Sequence, residues 1–211
     1  MDLLRFLTER SDEIVAKTWE HLQLVGLSTA IAVGIGVPLA IVLTRNERLA
    51  SPVIGFANVV QTVPSLALFG FLIPIPFIGG IGMKSAVIAL VLYALLPILR
   101  NTFTGIRSVD PAVVEAGRGM GMTDLQQLRL IEIPLALPTI LAGVRIATVV
   151  TVGLATIASA IGAGGLGDFI FRGISMVDHR LILAGAVPAA LLAILFDALI
   201  GRVERKLDIR E

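Results

Sequence analysis

The sequence predicts an all-α membrane protein of about five transmembrane helices, with a helix-turn-helix loop on the cytoplasmic side. The first observation behind this is composition: 56% of the 211 residues are hydrophobic, only 16% are charged, and the mean hydropathy is +0.92. Ordinary soluble chains are about 45–50% apolar and 25% charged. The second is that five segments, at 22–43, 53–73, 85–99, 135–161 and 181–201, form apolar runs. A helical span needs about 20 such residues to cross roughly 30 Å of hydrocarbon. The third is the placement of basic residues, which alternates with the spans as membrane topology requires.

Ten basic residues fall on one side: Arg45 and Arg48 after the first span, Arg100, Arg107, Arg118 and Arg129 after the third, and Arg202, Arg205, Lys206 and Arg210 at the end. Six fall on the other: Arg5, Arg10, Lys17, Lys84, Arg172 and Arg180. The richer side faces the cytoplasm by the positive-inside rule, which sets the N-terminus outside and the C-terminus inside.

Before the first span, Leu3, Leu4, Leu7, Ile14, Val15, Thr18, Trp19 and Leu22 recur at helical spacing between charges. This pattern suits a helix lying along the membrane interface or a solvated helical lead-in. Acidic residues and the lack of an unbroken apolar core make the N-terminus a poor secretory signal, so insertion without cleavage is expected.

Small residues mark helix faces. Gly26, Ala30 and Gly34 recur every four residues in the first span, and Gly143, Ala147, Thr151, Ala155 and Ser159 do so in the fourth. Such rows let neighbouring backbones approach, so both are expected to pack in a bundle. Pro38, Pro64, Pro74, Pro76, Pro97, Pro134, Pro138 and Pro188 lie in or beside spans. There they free carbonyls that only protein or a wet cavity can satisfy, which suits a transporter better than an inert anchor.

The stretch at 100–134 is the longest polar connection. Asp110 before Pro111 reads as an N-cap followed by proline in the first turn. Thr123, with Gln126 three positions on, reads as a capping box. Gly117, Gly119 and Gly121 between them are expected to allow a sharp turn through positive φ. The product is a short helix, a tight turn and a second helix running into the fourth span.

Glu115-Ala116-Gly117, then Gly121, then Ile131-Glu132-Ile133-Pro134 resemble the cytoplasmic signature of permease subunits of binding-protein-dependent ABC importers. That signature is Glu-Ala-Ala, three residues, Gly, nine residues, then Ile-x-Leu-Pro. Gly117 replaces the second alanine and Ile133 the leucine, and the glycine is expected to loosen the end of the first helix. The resemblance implies that the loop is a coupling helix seated in a groove of a separate ATPase. Glu115, Ala116, Gly117, Gly121, Ile131, Ile133 and Pro134 would be its contact and positioning residues. A rigid helix-turn-helix can pass on a rigid-body displacement that a slack loop would absorb.

Gln61-Thr-Val-Pro-Ser-Leu-Ala-Leu68, Leu96-Pro-Ile-Leu-Arg-Asn-Thr102, Ile161-Gly-Ala-Gly-Gly-Leu-Gly-Asp168 and Gly185-Ala-Val-Pro-Ala-Ala190 are similar to the osmoprotectant permeases, which carry glycine betaine, carnitine or choline. Methionine and related amino-acid permeases share the five-span plan and remain the alternative. The resemblance implies an N-terminal interfacial segment at 1–21, a permease domain at 22–201 with its coupling loop at 100–134, and a cytoplasmic tail at 202–211. It also implies a bacterial cytoplasmic membrane, an ATPase subunit that binds ATP and magnesium in place of this chain, and an extracytoplasmic substrate-binding protein. Five spans are too few to enclose a route, so a second permease subunit, identical or similar, is needed. Quaternary amines are normally gripped by aromatic cages, and one Trp, one Tyr and nine Phe place the tight site in the separate receptor.

For the passage, the polar residues Gln61, Thr62 and Ser65 beside Pro64 in the second span, with Thr148, Thr151 and Ser159 in the fourth, are the candidates. Packing hydrogen bonds would explain them as well. Gly162, Gly164, Gly165 and Gly167 form an outer gate segment, flexible or tightly turned. Arg145 and Asp197 are charges inside spans, expected to pair unless Arg145 snorkels.

Other functions find no support in the residues. A formal charge of +1 gives no field for nucleic acid, and the absence of cysteine removes thiol and cysteine-metal chemistry. Gly162-Ala-Gly-Gly-Leu-Gly167 matches G-x-G-x-x-G without the strand and βαβ unit that dinucleotide binding needs. Gly79-Gly-Ile-Gly-Met-Lys-Ser85 lacks the glycine directly before the lysine of a phosphate loop. His21 and His179, at span edges, read as interfacial polar residues rather than metal ligands. A membrane enzyme would need a cluster of acids or a nucleophile with its base, and a self-sufficient channel or carrier would not need the patterned loop.

Overall fold

The computed structural model describes residues 3–76 and 79–207. Arg210, the end of the tail at 208–211, and the side chains of Leu3 and Leu4 lie outside that description. Among the described residues there is no strand. The helices are α1 (Leu3–Glu9), α2 (Ser11–Arg45), α3 (Glu47–Thr62), α4 (Ser65–Leu72), α5 (Met83–Arg107), α6 (Pro111–Gly119), α7 (Asp124–Gln127), α8 (Ile133–Ala158), α9 (Gly167–Met176) and α10 (His179–Leu207).

Four helical runs are long and apolar enough to span a membrane: α2, α5, the continuous stretch Asp124–Ile161, and α10. The expected second span is not one helix. It is broken into α3 and α4, which meet at 102°. Pro64 has no N–H to continue the ladder and biases its predecessor away from helical geometry. Val63 accordingly takes φ −70° and ψ 130°. Counting the bent pair as one span gives the expected five. The lead-in also differs: α2 runs unbroken past position 22, so the boundary drawn at 21 is not a helix end.

The pillar of the bundle is α5. Of its most apolar stretch 67% is buried inside the chain, against 28% for α2, 39% for the run ending at Ile161 and 22% for α10. Leu24, Val25 and Ala32 of α2 and Ala147, Val152 and Ala155 of α8 close on Leu90, Ala94 and Ile98 of α5. Lipid tails are as apolar as leucine, so close packing rather than water exclusion holds such helices together. The glycines show this directly. A Cβ on Gly143 would lie 2.6 Å from Asn101 Cβ and 2.8 Å from the Pro97 carbonyl, and one on Gly36 would lie 2.9 Å from Ile98 Cγ2.

The two small-residue rows therefore part company. Gly143, Ala147, Thr151 and Ala155 are buried in the bundle as expected. Gly26, Ala30 and Gly34 instead face out of the chain, and a Cβ on Gly26 or Gly34 would meet nothing within 4 Å. Leu183, Val187, Leu191, Leu195, Leu199 and Val203, four residues apart, give α10 an exposed apolar stripe.

Candidate functional site

The helix-turn-helix forms as the sequence dictates. Asp110 Oδ1 accepts from the Ala112 N–H at 2.8 Å and starts α6. At its end, Gly121 (φ +81°) lets the Met122 N–H reach the Gly117 carbonyl at 3.1 Å and its own N–H reach the Arg118 carbonyl at 2.9 Å, a Schellman closure. The capping box at α7 is complete, with the Gln126 N–H donating to Thr123 Oγ1 at 3.3 Å and the Thr123 N–H donating to Gln126 Oε1 at 2.8 Å.

Only Gly121 of the three loop glycines uses positive φ. Gly117 and Gly119 are helical, so the expected loosening at Gly117 does not occur. Gly117 is buried because Ile131 lies over it, and a Cβ there would come within 2.7 Å of Ile131 Cδ1. The signature residues Gly117 and Ile131 thus touch across the hairpin. Ala116 and Glu115 point outward, and exposed Val113, Met120, Leu125 and Leu130 surround them with apolar surface.

Two contacts that sequence reasoning missed make the loop rigid. Buried Gln127 donates from Nε2 to the Val114 carbonyl at 3.2 Å, tying α7 to α6. Glu132, with its side chain 6% exposed, accepts hydrogen bonds from Nη1 and Nη2 of Arg45, the last residue of α2. The signal was a lone acid inside the apolar run Leu130-Ile131-Glu132-Ile133. Between α7 and α8, Leu128–Glu132 form a π turn in which the Ile133 N–H reaches back to Leu128. Ile133 and Pro134 then follow the π turn directly, at the first residues of α8.

At the break between α3 and α4, Tyr93 of α5 donates its hydroxyl to the freed Val63 carbonyl, and Gln61 Nε2 donates to the Tyr93 carbonyl at 3.0 Å. Gln61 faces an open cavity of about 400 Å³, lined also by Tyr93, Pro97, Arg100, Asn101 and Val150. Arg100, counted above among loop residues, belongs to α5 and to this cavity. Thr62 and Pro64 are exposed and Ser65 is half-buried beside them.

The fourth-span candidates do not join Gln61. Thr148 and Thr151 are buried, and their hydroxyls donate to carbonyls of their own helix at 2.8 and 2.7 Å. Ser159 Oγ donates to the Gly164 carbonyl at 2.6 Å. All three make packing hydrogen bonds.

That serine belongs to the glycine segment, which is tightly turned. Gly162, Gly164 and Gly165 take φ of +75°, +80° and +80°. The Gly165 N–H donates to Glu20 Oε2 at 2.9 Å, and Lys17 Nζ reaches both Glu20 at 2.8 Å and Asp168 at 2.6 Å. Gly167 is helical, and a Cβ there would lie 2.0 Å from the Thr156 carbonyl. His21 is no interfacial residue: it is fully buried beside Gly165, with Nε2 3.2 Å from the Val152 carbonyl. His179 is exposed at the start of α10. Arg145 lies 3.7 Å from Asp197, as expected, and nearer, at 3.3 Å, to Glu204.

Residues 32–209 match the family model described as "binding-protein-dependent transport system inner membrane component". The chain belongs to that family of membrane transport components. This inner membrane component is 46% identical over 204 residues, covering 97% of the chain and 93% of the relative, to the glycine betaine/carnitine/choline transport system permease protein OpuCB of Bacillus subtilis. It is 47% identical over 206 residues to the osmoprotectant import permease protein OsmW of Salmonella typhimurium, with 97% and 96% covered. An inward-facing form of the MetNI methionine ABC transporter superposes with a TM-score of 0.82 at 25% identity, over 92% of this chain and 95% of that one. The inner membrane component is therefore a multi-pass membrane protein of the permease type.

Proposed function

We propose that this chain is the permease subunit of an ATP-driven importer of compatible solutes: glycine betaine, choline, carnitine or related quaternary amines. The observation that carries this is the likeness at 46% identity, over 97% of the chain, to a permease whose name specifies those substrates. The rigid loop supports the ATP-driven part, because its exposed Glu115, Val113 and Met120 present a ready surface to a separate ATPase. That partner binds ATP and magnesium, and this chain supplies none of the hydrolytic residues. A second permease subunit completes the route, and an extracytoplasmic binding protein delivers the substrate. In a bacterial cell membrane the loop faces inward, with the N-terminus outside and the C-terminus inside.

In the mechanism this implies, closure of the ATPase pair moves the loop as one body. Ile131 on Gly117 and Gln127 on Val114 keep its two helices together. The π turn carries the movement into α8, and the Arg45–Glu132 pair carries it into α2. These helices flank α5, whose inner half lines the cavity with Gln61. Uptake of labelled glycine betaine and choline at high osmolarity, with and without the gene and with methionine as control, tests the reading. Loss of betaine or choline uptake alone is expected, and loss of methionine uptake alone would transfer the chain to the amino-acid importers.

A further inference from the structure

We propose that Arg100 selects substrates by receiving the carboxylate of a zwitterion in the membrane cavity, a role that rests on the permease reading above. Arg45, Arg107, Arg145, Arg172 and Arg180 each lie within 4 Å of a carboxylate. Arg100 is exposed and has no ion pair or hydrogen bond among the described residues. It nevertheless lies seven residues before the end of α5, about 10 Å along the helix at 1.5 Å per residue. It directly follows the apolar run that ends at Leu99, and a cation beside a span is costly unless paired or wet and can mark a substrate pathway.

The cavity supplies no counter-charge, because Asp and Glu are absent from its lining. Its other side-chain donors are partly engaged, each amide keeping a second N–H. Gln61 Nε2 donates to the Tyr93 carbonyl, Tyr93 Oη to the Val63 carbonyl, and Asn101 Nδ2 to the Pro97 carbonyl. The amide oxygens of Gln61 and Asn101 remain as acceptors, and Ile146, Val150 and Leu154 form an apolar wall. One planar, five-donor guanidinium thus stands as the single charge among lining residues that are otherwise neutral amide, phenol and apolar groups. A guanidinium fork matches a carboxylate bidentately. The acceptor dipoles and apolar wall suit the trimethylammonium end of a betaine. Choline has the same cationic end but no carboxylate, and its net positive charge is repelled by Arg100. An α-amino acid offers the same carboxylate with a different cationic end.

The test uses the assembled transporter in proteoliposomes with its binding protein, comparing glycine betaine, choline and methionine uptake with binding-protein-stimulated ATP hydrolysis. R100Q is expected to lower the betaine-to-choline uptake ratio at least tenfold and to leave stimulated hydrolysis above half. R100K, which keeps the charge but not the fork, is expected to lower the ratio about threefold. An unchanged ratio in whichever variant assembles overturns the proposal. If the parent carries betaine but no choline, the same variants must lower betaine uptake while sparing stimulated hydrolysis, and a parallel fall in both overturns it. A parent that carries methionine alone refutes the osmoprotectant reading instead. The Arg100 role is then judged on methionine uptake against hydrolysis by the same criterion.

Discussion

Replacing Arg45 by alanine would leave the Glu132 carboxylate, 6% exposed, without its partner. Replacing Glu132 by glutamine would leave Arg45 unpaired, but that side chain is 45% exposed and can turn to water. The two halves of one ion pair should therefore differ in cost. Stranding a buried charge costs about 3–5 kcal/mol, so R45A should approach about 3 kcal/mol after allowance for the amphiphilic edge of the site. E132Q removes the buried charge itself and leaves a neutral amide in its place, so it should cost about 1 kcal/mol. For a chain of this size each kcal/mol corresponds to roughly 2–4 °C in melting temperature. Thermal denaturation of the detergent-purified transporter should thus show R45A melting well below E132Q, with the double variant R45A/E132Q recovering most of the difference. Binding-protein-stimulated ATP hydrolysis should become uncoupled from uptake in R45A, because the loop has lost its tie to α2. Equal melting temperatures for the two single variants, or a double variant as unstable as R45A, would refute the assignment of Glu132 as a buried, Arg45-dependent charge.

G117A places a Cβ 2.7 Å from the flexible end of Ile131, so it should cost about 1–3 kcal/mol as an overpacked contact. I131V should relieve most of that in the melting curve of the double variant. Y93F leaves the Val63 carbonyl without the hydroxyl that satisfies it, so it should lower stability by about 1–3 kcal/mol. Protease cleavage near the α3–α4 break should also become faster.

The loop was the most legible part of the chain because its signals are local. A cap at Asp110, a capping box at Thr123 and a left-handed Gly121 are each decided within a few residues. The spans were legible as apolar runs, but α3 and α4 were not separated, because hydropathy averages over Pro64 and hides a break that only backbone geometry reveals. Which way a residue faces proved least legible. Gly26 and Gly143 carry the same four-residue signature, yet one looks outward and the other meets Asn101. Thr151 and Gln61 are both polar residues in spans, but threonine can return its hydroxyl to its own helix while glutamine is too long to do so comfortably. The lone acid Glu132 in an apolar run signals a buried charge but not its partner Arg45, 87 residues away, and Arg100 could be assigned to the cavity only once α5 was seen to extend to Arg107.

The π turn at Leu128–Glu132 fixes the angular phase between the loop and the membrane. A residue advances an α-helix by about 100° around its axis, and a π turn accommodates one residue more than an α turn. The face that α7 presents to Val114 and the face that α8 presents to α5 are therefore set independently, although one continuous helical run carries both. Shortening that turn by one residue would leave composition and hydropathy almost untouched, yet it would swing the loop about the axis of α8. The exposed face of α6 with Val113 and Met120 would then point elsewhere, and Glu132 would move out of reach of Arg45. Length at this turn thus sets the loop's orientation as much as the identity of its residues does.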